Sequence, residues 1–190
     1  MMLYILIAVA VLAVIFVALV TSRPAQFRVS RSATIAASPD VVFSYVNDVH
    51  RFQEWSPWAK LDPSATVTYE GPNAGQGASF SWSGGMKVGA GKMTVLESVP
   101  PRLVRFRLDF LKPMVATNTA EFTFEPEGDQ TLMTWSMTGR NNFMAKMFNL
   151  FIDCEKMCGG QFEQGMANLN RLVKAVASKP DASLAAPAAV

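Results

Sequence analysis

The side chains able to do chemistry are few, and their spacing does not assemble them. His50 is the chain's one histidine. Without an acid or nucleophile at catalytic spacing it reads as a surface or capping residue, not a base. Cys154 and Cys158 stand four apart in a segment of helical period, where they share a face. Two thiols and a distant histidine fall short of a four-ligand zinc site, so both read as small, half-buried helix residues. Gly89-Ala90-Gly91-Lys92 fails as a phosphate loop because Met93 stands where Ser or Thr is required, and the segment lies in strand-like sequence. Neither a zinc-protease helix nor a nucleophile elbow occurs. Asn118, Tyr69 and Arg140 remain as polar candidates near an otherwise apolar inner face. The reading leans away from an enzyme, with no metal and no cofactor expected.

The elements that must position these residues follow from periodicity. Phe27 to Ile35 alternates apolar and polar residues as a half-buried strand does. Ser38-Pro39-Asp40 then opens a helix, with Ser as cap, Pro at the first turn and an acid beside it. Val42, Phe43, Val46 and Val49 continue it at helical spacing. His50 to Lys60 is an aromatic-rich turn region in which Pro57 forbids a long helix. From Thr66 to Gly139 the period is two, punctuated by turn residues at Gly71-Pro72-Asn73, Gly84-Gly85, Pro100-Pro101, Lys112-Pro113 and Glu127-Gly128-Asp129. That spacing predicts about six consecutive antiparallel strands.

Within them, Val104, Phe106, Leu108 and Phe110 alternate with Arg105, Arg107 and Asp109, while Ala120, Phe122 and Phe124 alternate with Glu121, Thr123 and Glu125. Opposed arginines and glutamates are what neighbouring strands use as solvent-side pairs, so Glu121 and Glu125 read as surface partners and not as an acid/base couple. Met133, Trp135 and Met137 again put large soft side chains on one face. After Arg140 the period turns helical. Phe143, Met147, Leu150 and Met157 lead through Gly159-Gly160 into Phe162, Met166, Leu169, Leu172 and Val173, a long C-terminal helix expected to break or bend at the two glycines. The order strand, short helices, six strands, long helix predicts an α+β fold of about seven strands, a curved antiparallel sheet gripping that helix.

Ahead of this domain lies a different material. Met1 to Val20 holds no Lys, Arg, Asp or Glu, and thirteen of its residues are Leu, Ile, Val or Phe. At about −0.3 to −0.6 kcal/mol each, membrane insertion is favoured by roughly 4 to 8 kcal/mol. No basic n-region precedes it and no Ala-x-Ala site follows, so it reads as a retained anchor and not a cleaved signal peptide. Arg23, Arg28 and Arg31 follow the helix exit with no basic side chain before it, which predicts N-out, C-in topology with a cytoplasmic domain. The expected division is a transmembrane helix over 1–22, a linker over 23–26, the domain over 27–178 and a disordered Ala/Pro-rich tail over 179–190. A net charge of +2 and the lack of any Lys/Arg run set nucleic acid aside.

Several segments, in this order and spacing, carry a resemblance: the Ser38-Pro39-Asp40 helix start running to Phe43, Asp48 to Trp58 with its Trp-Ser-Pro-Trp, Gly77 to Trp82 before Gly84-Gly85, Glu97 to Arg102, and Phe162 to Leu172. The chain from about Phe27 to Ala177 resembles the SRPBCC (START-like) superfamily, polyketide cyclase/dehydrase branch. The resemblance implies a helix-grip fold with a cavity between sheet and C-terminal helix that takes lipids, quinones, polyketides or similar apolar molecules. It supplies no universal catalytic set to carry over. The residues expected to border the cavity are Trp82, Phe106, Asn118, Phe122, Trp135, Met137, Met147 and Met166. The leading expectation is a membrane-anchored binding domain for a hydrophobic or amphipathic small molecule, with the bilayer as partner through Met1 to Val20. A cyclase/dehydrase-type enzyme and a non-binding membrane interaction module are the alternatives.

Overall fold

A computed structural model describes residues 1–148, 150 and 154–178; the tail 179–190, expected above to be disordered, lies outside the described residues. Seven strands form one antiparallel sheet in the order β1-β7-β6-β5-β4-β3-β2. They are β1 (Gln26–Ile35), β2 (Thr66–Glu70), β3 (Ser79–Ser83), β4 (Ala90–Val99), β5 (Leu103–Lys112), β6 (Ala116–Glu127) and β7 (Gln130–Arg140). All strands after β1 are hairpin neighbours, and β1 closes the far edge against β7 from Gln26↔Arg140 to Ile35↔Thr131. The sheet curves around its apolar face, as its alternating sequence predicts.

The solvent face is paired across strands. Arg105 stands opposite Glu121 and donates to its carboxylate at 2.8 and 2.9 Å, with Glu97 on its other side. The hydrogen bond to Glu121 comes first among the causes that raise the Arg105 pKa. Lys92 pairs with Glu70 at 2.7 Å and Arg107 with Asp109 at 2.8 Å. Glu125 is exposed further along β6.

Helices α2 (Pro39–Asn47) and α3 (Val49–Trp55) follow β1, where the sequence reading has one helix and then a turn region. Asp48 separates them. Its backbone is extended, and its carboxylate accepts from the amides of His50 and Arg51, so it ends one helix and caps the next. Trp55 is thereby carried inward, its indole donating to the Tyr45 carbonyl at 3.0 Å.

The C-terminal segment forms α4 (Phe143–Phe148) and α5 (Cys154–Ala177). Contrary to the expected break at Gly159-Gly160, α5 runs through both glycines unbroken. The reason is close approach: a Cβ at Gly159 would collide with the Arg31 guanidinium, which reaches across α5 to Glu163 at 2.9 Å and Glu155 at 3.5 Å. Farther along, Asn168 donates to the Trp55 carbonyl and Asn170 accepts from the Ala36 amide, tying α5 to α3 and the end of β1.

Gly160 has open space around its missing side chain. Gly160→Ala should therefore stabilise the domain by about 0.5–1 kcal/mol through helix propensity alone. Gly159→Ala should fall short of that gain because it displaces Arg31. Urea midpoints of the two variants check the contrast; equal shifts would contradict it.

Helix α1 (Met2–Ser22) stands apart from the domain, with only Val20 buried. Its 21 residues are long and apolar enough to cross a membrane, spanning about 30 Å at ~1.5 Å per residue. Its end is tied to α4, where Lys146 donates to the Thr21 carbonyl at 3.1 Å.

Candidate functional site

Alternation along the strands decides which side chains enter the concave side. Ranked from β1 across the sheet, Phe27, Gly139, Asn118, Leu108, Met93 and Phe80 share one cross-strand row, and Val29, Met137, Ala120 and Phe106 the next. Toward the opposite end, rings from three sources meet. Phe52 and Trp55 come from α3, Phe106, Phe122 and Trp135 from the sheet, and Phe162 from α5. Trp135 stacks on Phe162 with centroids 4.2 Å apart, and Phe122 lies 5.7 Å from Phe106 and 4.7 Å from Trp135. Gly165 admits this packing, since a Cβ there would come within 2.9 Å of the Trp135 ring.

This aromatic plug packs the sheet against α3 and α5. Toward the α1 end the inner face is less covered: Phe27, Trp82, Leu108 and Phe110 are only half-buried. Here glycines make room. A Cβ at Gly91 would overlap the Trp82 ring and one at Gly139 would overlap the Asn118 amide, so the two absent side chains let Trp82 and Asn118 lie across the face.

The eight residues named from sequence divide between these regions. Phe106, Phe122, Trp135 and Met166 are deep in the plug. Asn118 and Met137 sit together at its border, the Asn118 amide 3.9 Å from the Met137 sulfur. Trp82 lies on the lip formed by β3, its indole donating to the Val88 carbonyl at 3.0 Å. Met147 is on α4 and partly buried. Sequence reasoning missed Phe52 and Trp55 as wall residues because it assigned their segment to a turn. It also passed over Phe27, Leu108 and Phe110, although their alternation places them on the inner face.

Polar groups in this interior are sparse. The Trp135 indole N–H is buried and has no hydrogen-bond partner among the described residues. For Asn118, the weak contact to sulfur is the hydrogen bond its side chain makes. An unmet buried donor carries a cost of about 1–3 kcal/mol, so Trp135 Nε1 is where an acceptor oxygen would be most favourably received, followed by Asn118 Nδ2, whose partner is only a weak sulfur acceptor.

The three polar side chains singled out for chemistry do not converge. Tyr69 is on the edge strand β2, stacked on His50 with centroids 3.8 Å apart. Tyr69 is exposed at this edge; partial desolvation of its ring first, and then the Asp48 carboxylate, push its phenol pKa up. Arg140 is exposed at the end of β7, far along the sheet from Tyr69, and Asn118 alone points inward.

Two hollows lie outside the grip. One, of about 620 Å³, is on the outer face of β1, β6 and β7 and is lined by Arg28, Arg140 and threonines 117, 119 and 138. The other, of about 460 Å³, lies between α2 and the end of α5 near Tyr45 and Arg51. Neither includes any of the eight residues.

The family described as polyketide cyclase / dehydrase and lipid transport matches residues 26–174. Among solved structures, protein MLL2253 from Mesorhizobium loti is similar with a TM-score of 0.58 at 14% identity, covering 78% of this chain and 98% of that one. Protein CV1439 from Chromobacterium violaceum gives 0.56 at 16%, covering 80% and 99%. Ara h 8.0201 gives 0.56 at 13%, covering 79% and 99%. No curated protein sequence matches this chain significantly. At these identities the structural likeness establishes the helix-grip fold, and α1 lies outside the family match.

Proposed function

We propose, from the premise that the chain belongs to the polyketide cyclase/dehydrase and lipid transport family, that its domain binds a hydrophobic or amphipathic small molecule between sheet and α5. In this reading α1 anchors it in a membrane, with the domain on the cytoplasmic side. The observation that carries the reading is the pair of under-used donors, Trp135 Nε1 and Asn118 Nδ2, in an interior otherwise walled by Phe, Met and Trp. Such a wall suits an apolar body, and the two donors suit a carbonyl or hydroxyl oxygen on it, as in a quinone, a polyketide or a lipid head. Entry is from the half-covered end, past Trp82, Leu108 and Phe110. Met137 at the border of the plug, Met147 on α4 and Met166 within the plug can give way to the ligand, because unbranched thioether side chains repack at low cost. All eight residues named from sequence take part in this proposal as walls, with Trp135 and Asn118 also supplying polar contacts.

Native mass spectrometry of the protein extracted from membranes should show a co-purifying small molecule. Trp135→Phe removes the N–H, so it should weaken a carbonyl-bearing ligand about 5- to 10-fold, the size of one neutral hydrogen bond, measured on folded protein because the smaller ring also lowers thermal stability in this packed site. A protein that is always recovered empty and refuses quinones, fatty acids and polyketide-like rings in titration would overturn the reading.

The filled plug favours a second reading, an interaction module whose interior is closed by its own side chains. Phe106, Phe122 and Met166 are fully buried, and the hollows described above are on other faces.

A further inference from the structure

The two ends of the sheet are chemically different. At one end lie the exit of α1, the start of β1, α4 and the turns β3–β4 and β5–β6, as the register of Gln26↔Arg140, Ser83↔Ala90 and Phe110↔Ala116 requires. Beyond Ser22, the two most exposed large apolar side chains among the described residues are Met86 at 99% and Val115 at 74%, and each is in one of these turns. Met114 in the β5–β6 turn and Phe143 and Met144 on α4 are also exposed. The turns at the other end carry instead Asn73, Arg102, Gly128 and Asp129.

Charge is weighted toward the same end, although Arg102 in the β4–β5 turn opposite also has no ion pair among the described residues. The exits of this end hold Arg23, Arg28, Lys112 and Arg140, none of which has a carboxylate within ion-pair distance among the described residues. Mid-sheet Arg31, Lys92, Arg105 and Arg107 are all paired. Arg28 and Arg140 share the outer-face hollow with the hydroxyls of Thr119 and Thr138, a set that suits a phosphate; the third threonine, Thr117, donates to the Asp109 carboxylate at 2.7 Å. Opposite, the β6–β7 turn is flanked by Glu125, Glu127 and Asp129.

We propose that this end of the domain docks on an anionic bilayer surface. The tips at Met86 and Met114-Val115 and the exposed side of α4 enter the headgroup layer, and Arg23, Arg28, Lys112 and Arg140 take lipid phosphates. Apolar tips and cations at one end of a domain are the pattern of an interfacial contact; within the Met86 turn itself Lys87 faces Asp62, whose carboxylate accepts from the Gly85 amide at 2.7 Å. The occupant is a membrane and not a protein groove because the patch continues into α1 through the Lys146–Thr21 hydrogen bond. Docking would hold the half-covered mouth at Trp82, Leu108 and Phe110 against lipid, giving an apolar ligand a route that avoids water. The inference rests on the anchor reading of α1.

The full chain, with Cys154 and Cys158 replaced by alanine, is reconstituted in phosphatidylcholine vesicles with and without phosphatidylserine. A fluorophore is placed in separate variants at Met86→Cys, Val115→Cys, Asp129→Cys and, within α1, Val11→Cys. Lipids carrying a quencher should quench the α1 position in both lipids, positions 86 and 115 several-fold more with phosphatidylserine, and position 129 in neither. Adding Lys112→Glu with Arg140→Glu should remove the phosphatidylserine dependence. Quenching in α1 with positions 86 and 115 behaving like 129 would overturn docking while leaving the anchor intact. An unquenched α1 would overturn the anchor itself, and docking with it.

Discussion

Replacing Val11 and Val14 together with aspartate should release the chain from membranes into the soluble fraction. Both residues are in the middle of α1 with exposed side chains, and the helix touches the domain chiefly near Val20, so the double change leaves the fold alone. Two aspartates near a bilayer centre cost about 5–7 kcal/mol, against the roughly 4–8 kcal/mol that favours insertion of the unaltered segment. Insertion is thereby brought close to balance. Fractionation after high-salt and carbonate washing reads the result: the unaltered protein should stay in the pellet and the variant should appear in the supernatant. If both partition alike, α1 is not what holds the protein to the membrane. A C-terminal reporter that is active only after export tests the side, and the three arginines following the helix predict that it stays silent.

Strand pairing was largely legible because a period of two leaves little freedom once one face is apolar. Arg105 and Glu121, read as solvent-side partners from alternation alone, stand directly opposite one another. What alternation cannot report is whether two facing surfaces touch. Phe106 and Phe122 were identifiable as inward-facing, but whether they border a gap or fill it depends on Phe52 and Trp55, delivered by a seven-residue helix that begins at an Asp48 cap. Pro57 drew attention to a turn and hid that helix. Gly159 misled in the opposite way. A glycine within a helical stripe suggests flexibility, yet here it marks the crossing of Arg31 from a strand 132 residues away in sequence from its partner Glu163. Contacts of that separation leave no local trace. The unpartnered Trp135 indole is likewise invisible to periodicity, since its distinction is the acceptor it lacks.

Phe122→Ala should lower the stability of the domain by about 3–5 kcal/mol, the usual cost of emptying a phenylalanine site in a packed core. The residue is fully buried and its ring contacts Phe52, Trp55, Phe106 and Trp135, drawn from two strands besides its own and one helix. Those neighbours cannot collapse inward without abandoning the Trp55 bond to the Tyr45 carbonyl and the Trp135 stack on Phe162. Against a typical domain stability of about 5–15 kcal/mol the loss is large, and urea denaturation measures it directly. The same variant separates the two functional readings. If the grip is a binding site held shut by its aromatic plug, the space vacated by the ring adds to one that ligands already reach from the Trp82 side. A quinone or fatty acid at about 100 times its dissociation constant should then restore about 2.7 kcal/mol of the lost stability. The unaltered protein should show a smaller shift with the same compounds, because there the ligand must first displace the plug. If neither protein responds to any apolar compound while both remain folded, the interior is a core alone, and the function lies on the surface.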